Sequence, residues 1–122
     1  MPDRDALLRN LRPGDLFHAS CPSGASLVCL VESLTETEIR TRRITTQEAY
    51  AFDRRTGLTL PNSDPRPCKI DSVAPLPTDI LNIMLGIDRK SRLEHDPERI
   101  KLSKDEIKAF NFIDGHYKSN PL

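Results

Sequence analysis

The sequence predicts an α+β fold, a small antiparallel β-barrel with helices after it. Three observations carry that reading. Between Leu27 and Leu60 apolar and β-branched residues fall in strand-length runs; prolines and glycines cut the first part of the chain into short segments; and after Pro77 the apolar period changes to that of a helix.

In chain order, Asp3 to Leu11 reads as a short helix, with Asp3 as its N-cap and Leu7, Leu8 and Leu11 on one side. Arg12-Pro13-Gly14-Asp15 is a type II turn, because Pro presets the second position and Gly accepts the positive φ of the third. It launches the strand Leu16-Phe17-His18-Ala19. A loop through Pro22, Ser23 and Gly24 follows. Leu27-Val28-Cys29-Leu30-Val31 is apolar without alternation, so both of its faces must be covered, one by the barrel interior and the other by the C-terminal helices. In the next strand, Ile39 to Thr46, Ile39 and Ile44 have opposite parity, which places a bulge or bend near Arg42 and Arg43.

Ala49-Tyr50-Ala51-Phe52 meets Leu58-Thr59-Leu60 across Asp53-Arg54-Arg55-Thr56-Gly57. The Asp53 carboxylate can accept backbone N–H groups, and Gly57 supplies the left-handed residue that closes the hairpin. Pro61, Pro65 and Pro67 cannot donate to a ladder, so that stretch is a surface loop, and pairing resumes at Cys68 to Val73. Five strands with short turns in residues 12 to 76, opened by Arg12-Pro13-Gly14-Asp15-Leu16, resemble an SH3-like barrel. The resemblance implies a fold and no activity.

Beyond the barrel, Ile80, Ile83, Met84 and Ile87 mark an amphipathic helix capped by Thr78 or Asp79, with Leu81 and Leu85 widening its apolar face. Asp88 to Lys101 is strongly charged and reads as a solvated connection with room for another turn of helix. Ser103 and Glu106 form a capping box for the last helix, with Ile107, Phe110 and Ile113 on its buried side. Gly115 should stop it, leaving 116–122 frayed. The expected organisation is a single domain over 1–122, with the barrel at 12–76 and the helical segment at 78–115, both C-terminal helices packing on the barrel.

Eighteen basic residues balance eighteen acidic ones, so no net field draws the chain to nucleic acid or to an anionic membrane. No run approaches the roughly 18 apolar residues that span a bilayer, and the acid-bearing N-terminus lacks a secretory pattern. A cytoplasmic protein is expected. Cys21, Cys29 and Cys68 are odd in number and irregularly spaced, which reads as three reduced thiols. With His18 they are the right types for zinc, but only His18 and Cys21 have ligand-pair spacing, so neither metal nor cofactor is expected.

Catalytic patterns are equally thin. Cys21 beside His18 lacks an orienting third group, and Glu32, Glu36 and Glu38 read as a solvated turn. The reading is therefore not an enzyme but a non-catalytic protein-interaction or adaptor module, self-associating as a homodimer through Leu81, Leu85 and Phe112. The alternative is single-stranded nucleic-acid binding. From Ile39 to Ile70 seven basic residues face three acidic ones, and Arg40, Arg42, Arg54 and Arg55 would grip phosphates. Few aromatics are free to stack bases, which ranks this second.

Overall fold

The computed structural model describes residues 4–60, 66–94 and 101–121. Its elements are α1 (Arg4–Arg9), β1 (Leu16–Ser20), β2 (Ser26–Leu34), β3 (Glu38–Arg43), β4 (Ala49–Asp53), β5 (Lys69–Ser72), α2 (Thr78–Leu93) and α3 (Lys104–Ser119). The strands make one antiparallel sheet in the order β4-β3-β2-β1-β5. Residues 58 and 59 bridge Phe52 on one side and Lys69 on the other. The return arm thus spans from β4 to β5, and the sheet curls into a half-barrel.

The turns that aim the strands follow from their residues. Gly14 has φ +94°, the Asp15 amide donates to the Arg12 carbonyl at 3.0 Å, and the Asp15 carboxylate accepts from the Arg12 amide. In the 53–57 hairpin the Asp53 carboxylate accepts the amides of Arg55 and Thr56 at 2.8 and 3.0 Å, and these bonds hold its carboxyl below the ordinary range. Gly57, at φ +75°, closes the loop through its amide to the Asp53 carbonyl.

Burial on both faces of Leu27 to Val31 is the organising fact of the core. Leu27, Cys29 and Val31 point into the curl, where they meet Phe17, Ala19, Ile39, Phe52 and Ile70, with Leu8 of α1 and Leu11 also in this inner cluster. Phe17 and Phe52 meet edge to face at 5.3 Å. Val28 and Leu30 point outward with Leu16 and Ile44 to an outer cluster completed by Met84, Ile87, Ala109, Ile113 and Tyr117 of the two long helices. Cys29 lies on the inner side, and its burial pushes the thiol up to about 12 against the smaller influence of Thr41 and Arg43.

Several expectations are corrected. Ile39 and Ile44 need no bend between them, because the sheet is covered on both sides: Ile39 belongs to the inner cluster and Ile44 to the outer. The bulge lies instead in β2, where Val31 pairs with Thr41 and Ser33 with Arg40, leaving Glu32 as the extra residue. That insertion flips the parity of β2, so Leu34 joins the same cluster as Val31. Helix α2 is preceded by Pro77 with no side-chain cap bond, so neither Thr78 nor Asp79 caps it, and it runs on through Asp88 to Leu93. Asp88 and Ser91 are buried rather than solvated.

Helix α3 begins at the capping box as expected, Ser103 accepting from the Glu106 amide and Glu106 from the Ser103 amide. It does not stop at Gly115. It continues to Ser119 because Tyr117 is drawn into the outer cluster, the Ser72 hydroxyl donates to the Asn120 carbonyl at 2.6 Å, and His116 Nε2 donates to the Pro75 carbonyl at 2.8 Å. Tertiary burial overrides the glycine, and residues 116–119 are helical rather than frayed. Ile107 is exposed, not buried; Ala109 and Tyr117 take that role.

The thiols are also corrected: Cys21 and Cys68 form a disulfide, with Cα atoms 4.1 Å apart. Strands β1 and β5 pair Ser20 with Lys69, and the next opposed position along that ladder is Cys21 with Cys68. Their spacing of 47 residues is irregular only along the chain. The proposed N-cap Asp3, most of the Pro61 to Pro67 loop and His95 to Arg99 lie outside the described residues.

Candidate functional site

The arginines singled out in the sequence occupy different environments. Arg40 is exposed beside Glu38 at 3.5 Å. Arg42 turns to the outer core instead: its Nε and Nη2 donate to the two oxygens of Asp88 at 3.0 and 2.9 Å, and Glu32 lies at 3.5 Å. The Asp88 bond is the first cause that raises the Arg42 pKa, against burial. Gln47, held at φ +63°, donates from Nε2 to both the Ile44 carbonyl and Asp88 Oδ1. Burial alone would raise the Asp88 carboxyl, but bonds from Arg42 and Gln47 and the charges of Arg42 and Arg92 hold it below the ordinary range. This strap joins β3 and the β3–β4 connection to α2.

Arg54 is likewise structural. It donates to the carbonyls of Thr35 at 2.7 Å and Arg9 at 3.2 Å, tying the β2–β3 turn to the end of α1. Its Nε is buried without a partner among the described residues. Arg55 is exposed, and with Arg9, Glu36 and Arg54 it lines an open groove of about 510 Å³.

The three apolar candidates also divide. Leu81 and Leu85 are half-buried against the outer cluster, and Leu81 lines a small cleft with Leu16, Val73 and Leu76. Phe112 is 44% exposed and stacks on His116 with ring centres 5.7 Å apart. Ile107 and Leu93 are exposed as well.

A polar cleft that sequence reasoning missed lies between the β1–β5 ladder and the end of α3. His18 is buried, and its Nδ1 donates to Asp71 Oδ1 at 2.6 Å, while the Ser20 hydroxyl donates to Asp71 Oδ2. The Tyr117 ring packs on His18 at 5.5 Å, with its hydroxyl buried and without a partner among the described residues; burial and then the Asp71 charge raise its pKa. These side chains, with Ser26, Asp114 and Lys118, line a cavity of about 440 Å³. Parity along β1 put His18 and Ser20 on one face, but their meeting with Asp71, 53 positions from His18 and 51 from Ser20, depends on β5 returning to β1.

The arrangement holds an imidazole in one orientation. It does not place the imidazole on the hydroxyl: the carboxylate stands between Ser20 and His18, whereas a nucleophilic triad puts the imidazole in the middle. Among the described residues no group of three or more His, Cys, Asp or Glu side chains is placed to hold a metal ion. No helix among them is long and apolar enough to cross a membrane. Compared with protein-family models, with curated proteins and with solved structures, the chain matches none.

Proposed function

We propose that this protein is a non-catalytic protein-interaction module that self-associates through the outward surface of its helical layer. The observation that carries the reading is the exposure of Phe112, Ile107 and Leu93, the large apolar side chains left uncovered among the described residues. Leu81 and Leu85 contribute at their half-exposed edges. The Ser20–Asp71–His18 order supports a non-catalytic role, because it does not place the imidazole on the Ser20 hydroxyl. Nucleic-acid binding ranks second because Arg42 and Arg54 spend their donors on internal partners.

An SH3-like barrel is the finer form of this proposal. A five-strand meander whose last strand lies beside the first, bulged in its longest strand, is the arrangement such a barrel would have. Light scattering across a concentration series tests the function: oligomers should form at micromolar protein, and Phe112→Asp should dissociate them with the melting temperature unchanged. A strict monomer at every concentration would end the reading. Cytoplasmic placement belongs to the same proposal, and Cys21–Cys68 probes it. The disulfide between them would be kept open in a reducing compartment, so cytoplasmic placement requires thiol trapping in intact cells to find the pair reduced. A fully oxidised pair would argue for another location.

A further inference from the structure

We propose that the groove between the end of α1, the β2–β3 turn and the 53–57 hairpin binds a small phosphate ester carrying hydroxyl groups. Among the described residues four charged side chains line it, the guanidiniums of Arg9, Arg54 and Arg55 and the carboxylate of Glu36. Those four carry three positive charges against one negative, on a chain whose formal net charge is zero. At about 510 Å³ the groove is of small-ligand size.

Pairing separates these arginines from the rest of the sheet. Arg40, Arg42 and Arg43 of β3 each lie against a carboxylate, from Glu38, Asp88 and Glu48 respectively. Arg9 and Arg55 have no carboxylate partner among the described residues, though Glu36 lines the same groove. Guanidinium forks suit the oxygens of a phosphate, which can accept several N–H bonds at once.

The groove is also built in advance. Arg54 is clamped by the carbonyls of Thr35 and Arg9, and its amide donates to the Thr37 carbonyl at 2.9 Å. The amides of Arg55 and Thr56 are fixed by the Asp53 carboxylate. The backbone presenting two of the three arginines is therefore set before a ligand arrives, which lowers the ordering cost of binding.

Glu36 narrows the ligand class. A carboxylate repels bare phosphate, but it accepts hydrogen bonds from hydroxyls on the same molecule, so a hydroxylated ester fits better than inorganic phosphate. This assignment shares no residue with the self-association surface and does not depend on it.

Calorimetric titration of the intact protein with ribose 5-phosphate, inorganic phosphate and a single-stranded oligonucleotide tests it. Ribose 5-phosphate should bind one saturable site, more tightly than inorganic phosphate. Arg9→Ala and Arg55→Ala, both at exposed positions, should each weaken it about tenfold, and Arg40→Ala should leave it unchanged. Glu36→Ala should narrow the preference for the ester over inorganic phosphate. No binding by either phosphate compound, or binding unaffected by Arg9→Ala and Arg55→Ala, would overturn the site. An unchanged preference in Glu36→Ala would overturn the ester assignment. Binding of the oligonucleotide alone, tightening with strand length, would overturn it in favour of a strand-binding surface.

Discussion

The two faces of the sheet are buried by different means. The inner cluster is closed by the curl of the sheet with Leu8 and Leu11, and Thr41, buried beside its Cys29, spends its hydroxyl within the sheet on the Tyr50 carbonyl. The outer cluster is closed by helices from the last third of the chain and includes polar groups at its margins: His18 on Asp71, and Asp88 on Arg42 and Gln47. A face closed by neighbouring strands gets its register from turns and ladder bonds. A face closed by distant helices needs directional contacts to fix where they sit. The polar chemistry of the cleft is accordingly on the outer side.

The sharpest way to break this comparison is to truncate one large side chain on each face. Phe52→Ala removes half of the Phe17–Phe52 pair inside the curl and should cost about 3–5 kcal/mol, while Ile87→Ala under the helices should cost about 2–4 kcal/mol. Denaturant midpoints monitored separately on sheet and helix signals check both. A larger loss from Ile87→Ala would show that the helices, not the curl, dominate stability.

The next test addresses the polar strap. Asp88→Ala leaves Arg42 without its bidentate partner and Gln47 without one of its two acceptors, and should cost about 2–3 kcal/mol, discounted because Arg42 retains some solvent contact. The pH dependence has a definite sign. The Asp88 carboxyl titrates lower in the folded protein than in the unfolded chain, so its contribution is complete above the ordinary carboxylate value and is lost as pH falls through the folded value. Wild type should therefore lose stability in that acid window more steeply than Asp88→Ala. Parallel acid unfolding curves for the two proteins would show that the strap contributes nothing to folding.

How much of this was legible follows the same division. Hairpin, proline-glycine turn, two-faced burial of the Leu27 strand and the Ser103 capping box are local patterns, and each is present in the structure. Apart from the absent Thr78 or Asp79 cap and the exposed Ile107, what failed was long-range. Asp88 reads as solvated until β3 is placed beneath α2, Gly115 reads as a stop until Tyr117 has a core to enter, and Cys21 and Cys68 read as unrelated until β5 returns to β1. The candidate residues show the same limit: charge counting found Arg54 and Arg55, but only the fold gathers Arg9 and Glu36 beside them and sends Arg42 elsewhere. His18 and Asp71 had no periodic signal to connect them.

The smallest expected effect separates the helical layer's internal order from its attachment. Ser103 caps α3, but its partner Glu106 does more: Oε1 accepts from the Ser103 amide and from Lys90 Nζ at 2.7 Å, and Lys90 also donates to the Lys101 carbonyl. The box therefore both starts α3 and ties it to α2. Ser103→Ala removes the hydroxyl acceptor and should cost about 1 kcal/mol, a loss of helix initiation alone. Glu106→Gln keeps an oxygen able to accept from Ser103 and removes the charge facing Lys90, so its smaller loss should fade as salt is raised. If Ser103→Ala left stability unchanged while Glu106→Gln did not, the ion pair rather than the cap would hold the start of α3, and the helical layer would depend on directional contacts even where the sequence signals a local one.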